Sequence, residues 1–291
     1  MQEDAMGRFQ TELGEFLKDK PWNVIRAAEI RGEDEIDVLE CAEANRCQNV
    51  YSVAKTFAMT AAGILWDKGE LSLEERIVDI LRDEIPGSGV DERWGRVTVE
   101  MALRHRAGLP GGFLDIDVTP VSEFGRDFLA HTMTFPLAYT PGEEERYSDG
   151  AFYLISRVAE KKSGKKLDDF LWEELFWKLG YQEAAWSRCP LGHPMGATGL
   201  YISAEDMAKL GFLYANGGLW RGERLLSREW IDLVFRKEMA LGPDETGTMY
   251  TKGGMYGQTL IVLPGERRAA AVQSYGADTG RIAAWIRDHR A

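Results

Sequence analysis

The stretch that decides the fold is Val50–Leu73, which reads VYSVAKTFAMTAAGILWDKGELSL. It holds the longest apolar run of the chain, Phe57–Trp66, and its pattern predicts a buried helix over Ser52–Asp67 that ends before Gly69. The run is far shorter than the roughly 20 apolar residues that a membrane span needs. Ser52-Val53-Ala54-Lys55 opens this helix, and a spacing of three residues places the serine and lysine side chains on one helix face.

A serine and a lysine at this spacing can act as a nucleophile and its base. A serine hydroxyl attacks poorly until a neighbouring base takes its proton, and a lysine can do this when burial lowers its pKa. The N-terminus of a helix also stabilises developing negative charge. The pattern alone is a weak signal, because Ser52 as a helix cap and Lys55 as a surface residue would explain it better. It also recurs by chance as Ser163-Gly164-Lys165-Lys166, in a polar turn.

The composition is that of a globular protein with an acidic surface. Apolar residues make up 44% of the 291 positions, and nine Trp, twelve Phe and ten Tyr exclude intrinsic disorder. The chain carries 47 acidic and 35 basic residues, a net charge of −12, which argues against nucleic-acid binding. Three cysteines without C-x-x-C spacing, Cys41, Cys47 and Cys189, argue against a disulfide framework or a zinc site. We therefore expect a reduced, cytoplasmic protein without a signal peptide, a metal or a cofactor.

Hydrophobic periodicity predicts strands near both ends of the chain and helices between them. The predicted strands are Asn23–Ile30, Glu35–Cys41, Gln258–Leu263 and Ala269–Tyr275. The predicted helices are Met6–Leu17, Ser52–Asp67, Val97–Arg104, Phe124–Thr132, Gly150–Lys162, Leu167–Leu179, Ala204–Asn216, Ser227–Arg236 and Arg281–Arg290. This order predicts an α/β (α+β) fold in which residues 1–51 and 196–291 form an antiparallel sheet with flanking helices. Residues 52–195 form an inserted, mainly helical subdomain of the same integrated domain, and we expect a small-molecule site at the junction.

Two further motifs follow the Ser-x-x-Lys motif in the chain. Tyr147-Ser148-Asp149 lies between Thr140-Pro141-Gly142 and the predicted helix Gly150–Lys162, and Lys252-Gly253-Gly254 precedes the predicted hairpin. Ser-x-x-Lys, Tyr-x-Asn and Lys-[Thr/Ser]-Gly in this order resemble the active-site set of the penicillin-recognising serine hydrolases. The similarity is to the branch with class C β-lactamases, D-alanyl-D-alanine carboxypeptidases and β-lactamase-like esterases.

Longer blocks carry the same resemblance, between about residues 45 and 275. They are Val50–Leu73, Met101–Pro110 (MALRHRAGLP), Thr140–Gly180 and Gly199–Leu226 (GLYISAEDMAKLGFLYANGGLWRGERLL). The resemblance implies a β-lactamase/transpeptidase-like fold and an acyl-enzyme mechanism. It also implies a small-molecule or short-peptide substrate: an ester, a small amide, a β-lactam or a D-amino-acid peptide.

The resemblance also implies a role for each matching residue. Ser52 would be the acylated nucleophile, Lys55 would share its proton, and Tyr147 would relay a proton to the leaving group. Lys252 would hold a substrate carboxylate, and Gly253 and Gly254 would let the substrate backbone approach closely. The N–H groups of Ser52 and Met255 would form the oxyanion hole. His105 matches a family histidine that we interpret as structural.

Two positions depart from the family pattern. Asp149 stands where the family has Asn, and an ionised Asp cannot donate a hydrogen bond to a substrate carbonyl. A carboxylate near Lys55 would also favour the ammonium form of that lysine and oppose its use as a base, unless Lys252 neutralises the carboxylate instead. Gly253 replaces the usual Thr or Ser, so a hydroxyl contact to the substrate carboxylate is missing.

Three alternatives stay open at this point. Ser148-Asp149-Gly150 resembles the Ser-Asp-Asn motif of class A enzymes, although the flanking sequence fits the tyrosine motif better. Glu143-Glu144-Glu145 is either a solvated acidic turn, which we favour, or a site for a cationic substrate. Finally, Asp149 and Gly253 are also compatible with a catalytically weak homologue that acts as a binding or sensor module.

Overall fold

The computed structural model describes residues 8–33 and 35–289. This part of the chain contains ten α-helices: α1 (Arg8–Leu17), α2 (Ala54–Asp67), α3 (Ile77–Ile80), α4 (Val99–Leu103), α5 (Phe128–Thr134), α6 (Asp149–Ser163), α7 (Leu167–Leu171), α8 (Ala204–Ala215), α9 (Arg228–Lys237) and α10 (Thr279–Asp288). It also contains eleven strands: β1 (Asn23–Gly32), β2 (Glu35–Glu40), β3 (Gln48–Asn49), β4 (Ala185–Trp186), β5 (Leu200–Ile202), β6 (Leu219–Trp220), β7 (Glu223–Arg224), β8 (Gly242–Pro243), β9 (Tyr250–Gly254), β10 (Gln258–Leu263) and β11 (Arg268–Tyr275). Met6 and Arg290, each at one end of a predicted helix, lie outside the described residues.

The described chain divides into two compact units. The sheet unit contains the described residues up to Val53, then Leu175–Ala185 and the residues from Leu200 onward, whereas the helical unit contains Ala54–Glu174 and Trp186–Gly199. The segment Leu175–Ala185 was expected in the helical subdomain. Two hydrogen bonds join this segment to α8 of the sheet unit. The Lys209 ammonium donates to the Gly180 carbonyl at 3.2 Å, and the Tyr181 hydroxyl donates to the carbonyl of Asp206.

The centre of the sheet unit is an antiparallel sheet. Among the described residues its strands are ordered β2-β1-β11-β10-β9-β8, so the two ends of the chain meet at the β1–β11 ladder, in which Ala28 faces Ala271. This confirms the predicted antiparallel sheet. The hairpin β10–β11 turns at Pro264–Glu266, as expected.

Helices cover both faces of this sheet. Phe9 and Leu13 of α1 pack with Ile282 and Ile286 of α10 in one buried cluster, which includes Ile261 of β10. Helix α8 covers the opposite face. A Cβ at Gly211 of α8 would lie 2.8 Å from Leu260 Cδ1 and 2.9 Å from Ala269 Cβ, so a larger residue there would push the helix off the sheet.

Helices α2 and α6 form the core of the helical unit. The residues from Lys55 to Leu65 are all buried, and α6 packs against α2, α3, α4 and α7. The predicted helix Ser52–Asp67 begins two residues late, because Tyr51–Val53 form a 3-10 turn in which Tyr51 has a φ of 46°. The predicted helix Leu167–Leu179 gives way at Leu171 to a π-helical turn over Trp172–Phe176.

The helices of the described residues are all too short or too polar to cross a lipid bilayer. The longest, α6, has fifteen residues and ends at Gly164, which adopts the left-handed conformation at φ 71°.

Candidate active site

The predicted nucleophile lies in a strained turn of the sheet unit. Ser52 is the central residue of the 3-10 turn Tyr51–Val53, in which the Val53 N–H donates to the Val50 carbonyl at 3.1 Å. The Asn49 side chain accepts the Tyr51 N–H at 2.9 Å. These two bonds hold Tyr51 in the left-handed region, which a bulky residue adopts only when its surroundings enforce it.

Strand β9 packs directly against this turn. Lys252, Gly253 and Gly254 occupy its last three positions, paired with β10, and Met255 follows immediately. A Cβ on Gly254 would lie only 2.4 Å from the Val50 carbonyl oxygen, so only a glycine permits this approach. These residues do precede the predicted hairpin strands, but they also form the end of a strand of their own, β9, in the same sheet.

Lys55 is the central residue of the helical unit's polar cluster. Its side chain is fully buried at the start of α2, and Nζ lies 2.6 Å from Oδ1 of Asp149 and 3.0 Å from the carbonyl oxygen of Ala197. The ammonium also lies 4.6 Å from the centre of the Tyr147 ring. Asp149 is only 4% exposed. Because it is the first residue of α6, its negative charge lies at a helix N-terminus.

Two opposing effects act on the protonation of Lys55. Burial lowers the pKa of a lysine, but the Asp149 carboxylate and Tyr147, through charge and hydrogen bonding, outweigh it and raise the pKa of Lys55 above its usual 10.5. The expected interaction between Asp149 and Lys55 is therefore present, and it favours the ammonium form.

His105 holds the segment that carries Tyr147. Its Nδ1 accepts the Ser148 N–H at 3.2 Å, its carbonyl accepts the Arg146 N–H at 2.8 Å, and its ring lies 4.4 Å from the Tyr147 ring. The Tyr147 carbonyl in turn accepts the Gly112 N–H at 2.8 Å. These contacts agree with a structural role for His105, while the Tyr147 side chain stays 44% exposed.

Sequence reasoning missed Asp117, which lies beside this cluster. Carboxylate oxygens of Asp115, Asp117 and Asp149 lie within 4.8 Å of one another, and Thr198 donates its hydroxyl hydrogen bond to Asp117. Burial raises the pKa of Asp117, the Thr198 bond opposes this, and the Asp149 charge adds to it. The Lys55 ammonium supplies the positive charge beside Asp149. No sequence signal pointed to Asp117, because the surrounding stretch Gly111–Thr119 contains no motif. None pointed to the Ala197 carbonyl, because it is a backbone group.

The predicted site residues thus fall into two groups. In the sheet unit, the turn that carries Ser52 packs against strand β9, which carries Lys252, Gly253 and Gly254 and is followed by Met255. The helical unit brings Lys55, Tyr147 and Asp149 together. The chain passes from one group to the other within the Ser-x-x-Lys motif, between Val53 and Ala54. The expected small-molecule site, to which Ser52, Tyr147 and Lys252 would all contribute, stays a prediction.

Comparisons with known proteins identify relatives of this chain in sequence and in structure. Penicillin-binding protein 4 of Amycolatopsis lactamdurans is 30% identical over 135 residues, which are 46% of this chain and 34% of that protein, so the chain spans only about a third of the relative's length. A Bacillus anthracis structure named for a 6-aminohexanoate-dimer hydrolase superposes with a TM-score of 0.76 at 16% identity, covering 95% of this chain and 79% of that one. A D-stereospecific amidohydrolase of a Streptomyces species gives a TM-score of 0.68 at 17% identity, covering 97% and 98%.

At these low identities the two structural matches establish the fold, which is β-lactamase/transpeptidase-like. The family model described as "Beta-lactamase" matches residues 42–290, and so includes all three motifs and both groups of site residues. The order of the motifs, the geometry around Lys55 and this match over most of the sequence lead to one conclusion: the chain belongs to the β-lactamase family.

Proposed function

We propose that this protein is a serine hydrolase that forms an acyl-enzyme on Ser52. Members of its family are generally serine hydrolases, and the substrate is an ester, a small amide, a β-lactam or a D-amino-acid peptide. The observation that carries the proposal is the burial of Lys55 in contact with Asp149 and beside Tyr147. A lysine is rarely fully buried unless a partner holds it there, and perturbed buried groups are concentrated at functional sites.

The proposed reaction has two halves. In the first, Ser52 Oγ attacks the substrate carbonyl, its proton passes to the neutral amine of Lys55, and the N–H groups of Ser52 and Met255 stabilise the oxyanion. Tyr147 then relays a proton to the leaving group, and in the second half a water molecule releases the acyl group. Lys252 binds a carboxylate of the substrate where one is present, and Gly253 adds no hydroxyl to that contact.

The first half requires the deprotonated form of Lys55. Because the Asp149 carboxylate raises the pKa of Lys55, only a small fraction of this lysine is a free amine near neutral pH. Acylation should therefore accelerate as the pH rises. This dependence gives the proposal a kinetic signature that can be measured separately from the identity of the natural substrate.

A panel of substrates tests the proposed function. We expect p-nitrophenyl acetate, a penicillin or a D-alanyl-D-alanine peptide to be turned over by the wild-type chain and not by Ser52→Ala, with a burst of one equivalent where deacylation limits the rate. Equal turnover by both proteins would contradict the proposal.

A second candidate function is a binding or sensor module that hydrolyses poorly. The 2.6 Å contact between Lys55 and Asp149 favours it, because a protonated Lys55 cannot accept the Ser52 proton. A module of this type would bind a penicillin or D-peptide reversibly, and Ser52→Ala would leave its affinity unchanged. An acyl-enzyme detected by mass would exclude this alternative.

A further inference from the structure

Three tyrosines of the sheet unit form one aromatic cluster, which we call the tyrosine platform: Tyr51, Tyr256 and Tyr275. The rings of Tyr256 and Tyr275 are stacked, with centroids 5.1 Å apart and planes at 17°. The Tyr51 ring meets that of Tyr256 edge-on at 5.3 Å, and its hydroxyl lies 3.1 Å from the Tyr275 hydroxyl. These are the offset and edge-to-face geometries that aromatic rings prefer, so the cluster is an ordered surface.

The platform adjoins the groups that perform the proposed chemistry. Tyr51 immediately precedes Ser52, and Tyr256 immediately follows Met255, so two platform residues are the direct chain neighbours of the nucleophile and of both proposed oxyanion donors. The Tyr256 carbonyl accepts the Gly276 N–H at 2.9 Å, which fixes Tyr256 to the end of β11, where Tyr275 lies.

Folding stability does not account for this arrangement. Tyr51 and Tyr256 both adopt the left-handed region, with φ values of 46° and 62°, which is strained for a large aromatic residue. Tyr256 remains 50% exposed and Tyr275 44% exposed, so much of the ring surface stays in contact with water. Backbone strain that is not offset by burial of the side chain is typical of binding and catalytic sites.

We infer that the tyrosine platform binds an uncharged aromatic ring of the substrate next to its scissile ester or amide bond. The inference rests on the proposed function, since it assigns the substrate class of the same site. An exposed ring face binds another flat ring by stacking. The stacking energy adds to the favourable free energy of removing both ring faces from water. A cationic group would also suit ring faces, but the charge of Lys252, on the strand that leads into Met255, disfavours it.

Matched esters test the inference. We expect the wild-type kcat/KM for methyl phenylacetate or benzyl acetate to exceed that for methyl acetate at least tenfold. Tyr256→Ala and Tyr275→Ala should each reduce this preference about fivefold, as expected for one lost stacking contact. Tyr256→Phe should retain it, and so should the control Trp177→Ala, which removes an aromatic side chain that is 78% exposed. A wild-type enzyme without the preference, or alanine variants that keep it, would overturn the inference.

Binding to Ser52→Ala separates this inference from the proposed function. Phenylacetate, cyclohexylacetate and acetate are titrated into Ser52→Ala and into Ser52→Ala with Tyr256→Ala, by calorimetry. Tighter binding of phenylacetate than of cyclohexylacetate, lost with Tyr256, would support the platform even if no ester were hydrolysed. Equal affinity for phenylacetate and cyclohexylacetate would overturn the platform even if Ser52 were confirmed as the nucleophile.

Discussion

Nζ of Lys55 lies 2.6 Å from Oδ1 of Asp149, and both side chains are almost completely shielded from solvent. Removing one partner of a buried ion pair leaves an uncompensated charge, which typically costs about 3–5 kcal/mol. The pair therefore fixes the charge state of the residue on which the proposed acylation depends. Asp149 stands where the resembled Tyr-x-Asn motif has Asn. We expect this one difference to have a measurable effect on the rate of acylation.

Asp149→Asn should accelerate acylation near neutral pH. The substitution removes a charge that raises the pKa of Lys55, so the pKa of Lys55 falls, and a pKa lower by one unit gives about tenfold more free amine. We expect the alkaline onset of acylation to move to lower pH. The measurement is a stopped-flow pH–rate profile of acylation by a p-nitrophenyl ester.

If Asp149→Asn were slower at every pH, the carboxylate would be a positive part of the site. The interpretation of Asp149 as the residue that limits Lys55 would then be wrong, and a substrate with a positive charge would become the better hypothesis.

Asp117→Asn should shift the same profile in the same direction, but by less than Asp149→Asn. Asp117 lies within the carboxylate group around Asp149 and acts on Lys55 through space, whereas Asp149 contacts it directly. Stopped-flow profiles of the two variants, recorded side by side, check this order. An equal or larger shift for Asp117→Asn would contradict the assignment of Asp149 as the principal partner.

Lys55→Met should destabilise the protein by about 3–5 kcal/mol at pH 7, because it leaves the Asp149 carboxylate buried without its partner. The control is Lys165→Met, which breaks an exposed surface pair with Glu173 and should lower the stability far less than Lys55→Met does. Urea unfolding measures both free energies of unfolding. Similar values for the two variants would argue against a buried, coupled pair.

The wild-type protein should also lose stability in alkali through Lys55. The folded-state pKa of Lys55 lies above its usual 10.5, so its contribution is complete below about 10.5 and is lost as the pH rises through the raised value. Urea unfolding between pH 8 and 12 should show this loss in the wild type and less of it in Lys55→Met. Parallel curves for the two proteins would contradict the sign of the shift.

Gly254→Ala should lower both stability and acylation, whereas Gly253→Ala should leave stability unchanged within about 0.5 kcal/mol. A Cβ at Gly254 would lie 2.4 Å from the Val50 carbonyl and 3.3 Å from Tyr51 Cβ, and a Cβ at Gly253 meets nothing within 4 Å. Overpacking of this kind costs about 1–3 kcal/mol and would displace the Ser52 turn from β9. Thermal unfolding and ester-induced acylation check the pair; equal melting temperatures would contradict the close approach.

Much of the fold was predictable where periodicity is strong. Strand β10 has the predicted bounds, Gln258–Leu263, and α8 ends one residue before the predicted Asn216, because alternation and a capped amphipathic pattern are local signals. Strand β9 escaped prediction, since two of its five residues are glycines and it is stabilised by pairing with β10 rather than by its own propensity.

Only the side chains of the candidate site could be predicted from the sequence, and its backbone groups could not. The motif residues and the conflict between Asp149 and Lys55 follow from residue types and order. The Ala197 carbonyl on Lys55 and the left-handed backbone of Tyr51 do not, because tertiary packing creates them and no residue pattern encodes them.

Acylation of Ser52 is tested by intact mass, followed by peptide mapping, after incubation with a fluorophosphonate. We expect one adduct per wild-type chain, located on Ser52, no adduct on Ser52→Ala, and unchanged labelling of Ser163→Ala, which removes the serine of the second Ser-x-x-Lys. An adduct that survives Ser52→Ala, or one that maps to Ser163, would contradict it.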